Sequence, residues 1–318
     1  MPVIISAALL GVIAVILAWP FPLVLARSDW PARSPDVALV LWQAIALSGG
    51  MSMIGSLLLY GLVPFGNALP QSVIALGYSL RSGTLPADTR FTHVLALGAA
   101  ILLSTHLLLN LFATFVCAER QRRRHYTLIA LLSDPLNGQP GMRVIDHPAP
   151  VAYCLPGAGH SATVLSKGLL RLLDADQVRA VIAHERAHLV QQHHLVLLAF
   201  KSWHSALPWF PIANRAENAV ALLVEMIADD RARRDVDDRT LATAIALVGL
   251  GQQPEVLAAA ADGESDAPWI SSPERALVAP RVYRLMNQAL PLSRLATMAV
   301  FVTAIALALA PAIVLLRA

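Results

Sequence analysis

Four stretches of the chain are apolar almost without interruption: residues 3–25, 37–63, 93–118 and 295–316. A helix of about 20 mostly apolar residues crosses the hydrocarbon core of a bilayer, so each stretch predicts a transmembrane helix. The first has no basic N-terminal region, and its apolar core is longer than that of a usual signal peptide. It is therefore expected as a retained span. Between the third and fourth stretches the pattern changes to helical spacing, as in Val178, Val181, Ile182 and Leu189. Residues 150–155 and 162–166 read as short strands separated by Gly157 and Gly159. The expected fold is an α-helical polytopic membrane protein with four transmembrane helices, about 3–25, 37–63, 93–118 and 294–318. Its second part, at 119–293, is a mainly α, α+β domain. Residues 64–92 form a loop between spans two and three. Within it, 72–80 reads equally as a short interfacial helix or as a loop packed on the bundle.

Composition supports the membrane assignment. Hydrophobic residues make up 56 % of the 318 and charged residues 14 %, with mean hydropathy +0.59. Soluble domains carry roughly 25 % charge, so a water-soluble enzyme is excluded for the chain as a whole. Disorder is excluded by the same apolar excess. Two cysteines exclude a disulfide scaffold and a Cys-rich zinc module. A net charge of +3 gives no nucleic-acid footprint, so no direct nucleic-acid partner is expected.

Arginines set the expected orientation. Glu119-Arg120-Gln121-Arg122-Arg123-Arg124-His125 follows the third span, and Arg27 and Arg33 lie between the first two. Basic residues beside spans stay in the cytoplasm. The reading is therefore N- and C-termini outside, 64–92 outside, and the 119–293 domain in the cytoplasm.

The chemistry lies in residues 174–200, read as one helix. Asp174 with Gln177 looks like a capping box. His184-Glu185-Arg186-Ala187-His188 follows, an HExxH motif. Two His at i and i+4 share a helix face, one turn apart, where both imidazoles can bind one zinc ion. Glu185 projects beside them, placed to take a proton from a water that the metal acidifies. Composition alone gives ~0.007 such motifs per chain by chance.

Zinc of this kind needs a third protein ligand. Asn214 with Glu217 looks like a second capping box, and an apolar helix then carries Glu225 and Asp229 four residues apart. A carboxylate inside an apolar helix is costly without a partner. Glu225 can reach the metal, and Asp229 can hydrogen-bond the far nitrogen of a ligand histidine. The competing reading pairs Glu225 with a core arginine and leaves Asp229 at the start of a surface run.

Other residues keep two readings. His193 and His194 are extra ligands or, as favoured, structural or surface groups on the same helix. His106 and Asn110 mark a polar pathway in the third span or bond across the bundle. Strand 150–155 guides a substrate backbone or is an ordinary hairpin. Cys154 is a thiol ligand in principle and a small buried hydrophobe by preference. Trp203 and His204 fall in the connection before Pro208 and Pro211. Arg281, Tyr283 and His204 are oxyanion-stabilising candidates by residue type alone.

At these motifs the chain resembles the integral-membrane zinc metallopeptidases of the BlaR/MecR type, metallopeptidase family fifty-six. The resemblance rests on Ala152-Tyr153-Cys154-Leu155-Pro156-Gly157, Val164-Leu165-Ser166-Lys167-Gly168-Leu169, the HExxH helix, Glu225-Met226-Ile227-Ala228-Asp229, and Arg281-Val282-Tyr283-Arg284. It implies a gluzincin-type protease domain with Zn2+ held by His184, His188 and Glu225. It further implies Glu185 as general base and acid, and Asp229 as the residue that orients a ligand histidine. The implied substrate is a cytoplasmic repressor of the BlaI type, or the protease itself. His194 stands where relatives often have Asp. Beta-lactam sensors of this type continue after the fourth span into an extracellular penicillin-binding domain. This sequence ends at Ala318, so no covalent antibiotic sensor is expected. Membrane proteases of the prenyl-protein and heat-shock kind share HExxH and the later Glu-x-x-Ala-Asp, and form the competing resemblance. A reading of another class is a non-proteolytic membrane signalling scaffold with a structural zinc.

Overall fold

The computed structural model describes residues 3–135, 141–155, 162–208, 211–251, 273–287 and 289–318. Gly157 and Gly159 lie outside the described residues. The chain divides into two compact units.

The first unit comprises residues 1–113, 200–219 and 292–318. Its helices are α1 (Val3–Ala18), α2 (Pro20–Arg27), α3 (Trp30–Arg33), α4 (Pro35–Leu62) and α5 (Leu69–Ser82). It also holds the start of α6 (Phe91–Leu132) and the last helix, α13 (Arg294–Leu316). Among the described residues, four helical segments are long and apolar enough to cross a membrane: Val3–Arg27, Pro35–Phe65, Phe91–Ile129 and Arg294–Leu316. The first bends at Trp19, where Pro20 and Pro22 follow and the backbone leaves helical geometry. Small residues bring spans together. Ser56 donates to the Ala7 carbonyl at 2.8 Å, and Gly55 lies against Leu10 and Leu315. Residues 72–80 take the helical alternative, inside α5, which ends at Gly83 in the left-handed region.

The helix that carries the third span does not stop at residue 118. Helix α6 runs on through the arginine cluster to Leu132. The cluster stays helical because Glu119 receives both Arg122 and Arg123, at 2.8 and 2.6 Å, one turn away. In the same span Asn110 donates to Ser202 and Ser205, and the His106 ring meets the Ala206 carbonyl at 3.1 Å. These are bonds across the bundle. Trp203 and His204 lie on α9 (His193–Ala206), not in a connection.

The second unit comprises residues 114–199 and 220–291. A four-stranded sheet has the order β1 (Ser133–Pro135), β2 (Met142–Ile145), β4 (Ala162–Ser166), β3 (Ala152–Leu155). Strands β3 and β4 match the two runs read from sequence and pair antiparallel, with Cys154 opposite Thr163. Strands β1 and β2 were not anticipated; β2 runs parallel to β4.

Ser166 joins sheet to helix. Its hydroxyl caps α7 (Lys167–Leu172) by accepting from the Leu169 N–H, and it donates to the Ala149 carbonyl at 2.6 Å. Gly168 follows, pressed against the preceding loop. A Cβ there would lie 1.9 Å from the Pro148 carbonyl oxygen. Gly168→Ala is expected to lower stability by about 1–3 kcal/mol, the range for overpacking, read as a lower unfolding midpoint.

Helix α8 (Ala175–Val190) carries the HExxH motif. Its capping box is present: Asp174 accepts from the N–H groups of Asp176 and Gln177, and Gln177 accepts from the Asp174 N–H. Asp174→Ala should cost ~1 kcal/mol, measured by chemical unfolding. Val178, Val181 and Ile182 pack against Leu165, Leu169 and Leu173. Ala180 and Ala183 pack with Leu241 and Ala242 of α11 (Asp238–Gly251) and Leu285 of α12 (Pro273–Met286). The motif helix is thus wedged between the sheet and a helical layer, leaving one side for polar groups.

Two helical expectations are corrected. Helix α8 stops at Val190, so residues 174–200 are two helices. Gln192 takes φ +51°, the left-handed region, and α9 starts at His193. Helix α10 (Pro211–Ala232) starts three residues before Asn214, so Asn214 is not its N-cap. Proline suits the first helical turn because its missing N–H has no partner there anyway.

Candidate metal centre

The second unit brings both motif helices to one point. His184, His188 and Glu225 each offer one donor atom, and these atoms lie within 4.8 Å of one another. The ring Nε2 atoms of His184 and His188 are 3.1 Å apart. Glu225 reaches both: Oε2 is 3.3 Å from His184 Nε2, and Oε1 is 3.4 Å from His188 Nε2. Each histidine therefore turns Nε2 inward. Cysteine 154 stands outside the cluster. Its thiol meets Thr163 at 3.1 Å, and burial pushes it up to about 11.

The outward nitrogens have partners too. His184 Nδ1 lies 2.9 Å from Asp229 Oδ1. His188 Nδ1 lies 2.9 Å from Nδ1 of His193. Asp229 is 1 % exposed, and its carboxylate is clasped by Arg281, which donates from Nε at 2.8 Å and Nη2 at 2.7 Å. The third nitrogen of the same guanidinium, Nη1, is 2.8 Å from Glu225 Oε2. Glu225 thus faces the two histidines and also pairs with a core arginine, whereas Asp229, which the competing reading left at the start of a surface run, is buried. Beside this fork, Arg284 holds Asp230 at 2.8 and 2.7 Å.

Charge follows from these contacts. Burial raises the Asp229 and Glu225 carboxyls, but Arg281 and His184 outweigh it, and both stay ionised well below the usual carboxylate range. Burial depresses His184, yet its bonds to Asp229 and Glu225 win and lift it to about 9. Burial holds His188 down to about 4, so it is neutral. Glu185 sits beside the ligand face. Burial pushes its carboxyl up to about 7, helped by the Glu225 charge and opposed by those of His184 and Arg281.

The donor set fits zinc. Two neutral imidazole nitrogens and a carboxylate are zinc's usual ligands in sites that leave one position open. Each of the two histidines is also backed through its far nitrogen, as metal-bound histidines usually are. Among the described residues, no fourth His, Cys, Asp or Glu joins the cluster.

Residues 118–247 match the model of peptidase family M48. The match indicates a metallopeptidase. It spans HExxH, Glu225 and Asp229. M48 is not the family fifty-six suggested by the motifs. With the four apolar helices, the match supports a membrane-type metallopeptidase and goes no further toward BlaR/MecR proteins. No curated protein matches the chain, and no solved structure does.

The sequence leaves the partners of His193 and Arg281 undetermined. His193 reads there as a structural or surface group on a continuing helix; it lies at the start of α9, buried against His188, which fits the structural alternative. Arg281 stood only as an oxyanion candidate by residue type. The sequence signal for it is its place in Arg281-Val282-Tyr283-Arg284, one of the stretches that carry the family resemblance. Tyr283 is exposed, and His194 is exposed on α9.

Proposed function

We propose that the chain is a membrane-embedded zinc endopeptidase. The convergence of His184, His188 and Glu225, with Glu185 beside them, carries this reading. Zinc held there would polarise a scissile carbonyl and acidify a water. Glu185 is placed to take the proton from that water and return it to the leaving amine. Asp229 keeps the His184 ring oriented, with Nε2 toward the metal.

The substrate is an extended polypeptide segment. Strand β3 is the edge of the described sheet, and it packs against the helix that carries Glu185. An added substrate strand would run past the general base. The protease domain faces the cytoplasm in this reading, supported by Arg120, Arg122, Arg123 and Arg124 after the apolar part of α6. A BlaI-type repressor, or the chain itself, is the substrate of the BlaR/MecR resemblance. Quality control of membrane proteins is that of the prenyl-protein and heat-shock resemblance. The M48 match lies outside family fifty-six and so favours the second. A structural zinc would have four protein ligands; the described cluster offers three.

The test is cleavage in reconstituted bilayers, supplied with zinc, a BlaI-type repressor and an unfolded membrane protein, with 1,10-phenanthroline as control. Cleavage that chelation stops and zinc restores supports the reading. Cleavage of the membrane protein alone selects quality control, and cleavage of the repressor alone selects signalling. Cleavage that survives chelation overturns the zinc mechanism.

Metal uptake should depend on pH. His184 holds its proton up to about 9, and a ligand must be neutral to bind zinc. Zinc uptake at pH 7 is therefore expected to release about one proton, so that affinity rises with pH until about 9. Calorimetry in buffers of different ionisation enthalpy measures that proton.

A further inference from the structure

We propose that His193 is the positioning residue of His188, fixing the tautomer that presents Nε2 to the metal. The inference rests on the zinc reading above. The backbone makes the contact. On an unbroken helix, the residue five after His188 would lie roughly 140° around the axis and could not touch it. The helix instead ends at Val190, and Gln192 takes φ +51°. That turn starts α9 in a new direction and brings His193 back over the end of α8. Its ring stands edge-on to His188, with centroids 4.9 Å apart and planes at 83°. His193 is 3 % exposed.

The atoms determine the role. His188 points Nε2 at His184 and Glu225, so Nδ1 faces the other way. There it meets Nδ1 of His193 at 2.9 Å. Two ring nitrogens at this distance share one hydrogen, and each neutral ring has one N–H. When Nε2 of His188 gives its lone pair to a cation, the ring hydrogen is on Nδ1. His193 then accepts that hydrogen bond through its own Nδ1 and carries its hydrogen on Nε2. His193 is not a fourth ligand, because it sits on the side of the His188 ring away from the cluster. The arrangement parallels that of His184, whose Nδ1 is bonded to Asp229. One ligand histidine has a carboxylate behind it and the other an imidazole.

The full-length protein, purified in nanodiscs, tests this by chelator competition for zinc. His188→Ala is the reference, expected to lose tight binding. His193→Asn keeps an acceptor oxygen near the position of Nδ1, and His193→Asp supplies a carboxylate. His193→Leu removes the acceptor, and His193→Gln displaces it by one methylene while keeping a polar side chain if Leu is not tolerated. The Leu and Gln variants should bind zinc about 10–100-fold more weakly, while Asn and Asp stay within about threefold of the parent. A merely structural role would not make Asn and Gln differ. Parent-like affinity in the Gln and Leu variants overturns the proposal, as does equal weakening by Asn and Gln. Parent-like affinity in His188→Ala overturns the zinc reading itself, and the proposal with it.

Discussion

Glu185→Gln is expected to reduce peptide cleavage by about 10²–10⁴-fold while zinc stays bound, the range for loss of a general acid–base group. The reason is geometric. Glu185 is not part of the donor cluster, which among the described residues consists of His184, His188 and Glu225. An amide keeps the shape of the side chain but cannot take a proton. Burial favours the neutral side chain at this position, because it pushes the carboxyl up to about 7. The substitution should therefore not destabilise the unit. The sign can be worked out: a carboxyl raised from 4.5 to about 7 in the fold opposes folding once ionised. That penalty is absent below pH 4.5, grows as pH rises, and is complete above about 7. The Gln variant should thus match the parent in acid and equal or exceed its stability above neutral pH. Zinc content by mass spectrometry, cleavage rate and unfolding midpoint are the three readouts. Parent-like cleavage at equal expression would exclude Glu185 as the base.

Arg281→Gln should have the largest effect on stability. Asp229 is 1 % exposed and ionised, and Arg281 supplies two of its hydrogen bonds. Removing one member of a buried ion pair leaves the other uncompensated, at a cost of about 3–5 kcal/mol. Glu225 loses its guanidinium contact in the same step. The double variant Arg281→Gln with Asp229→Asn should regain part of the stability, because no buried charge is then stranded. Arg284→Gln is the control on the same helix. Its partner Asp230 is 35 % exposed against 1 % for Asp229, so the charge left behind keeps access to water and the cost should be smaller than for Arg281→Gln. Equal destabilisation by the two single variants would mean that Arg281 acts only by joining α12 to α10.

How much of the site is legible in sequence depends on the range of each interaction. His184, Glu185 and His188 are three residues of one helical turn, so their spacing places them without any fold. The same holds for Glu225 and Asp229 on α10. That the two helices meet is not local, but the chemistry of the residues suggests it: a carboxylate in an apolar helix needs a partner, and two imidazoles on one face need a third ligand. Reading residues 174–200 as one helix failed at Gln191 and Gln192. Neither is glycine or proline, so no sequence signal marks the left-handed turn. His193 was misplaced as a result. Strands β1 and β2 escaped because each is short and is held by pairing with a partner elsewhere in the chain.

The sequence by itself determined the four apolar helices, the capped HExxH helix and the carboxylates one turn apart, because these follow from uninterrupted apolar runs, from the 3.6-residue period and from side chains close in the chain. Only the tertiary structure decided which group stands behind each of them. Arg281 arrives 52 residues after Asp229 and 97 after His184. His193 arrives through one residue of unusual backbone. Such contacts depend on where packing carries a helix, on burial that makes an ion pair obligatory, and on directions of hydrogen bonds. None of these is a property of neighbouring residues.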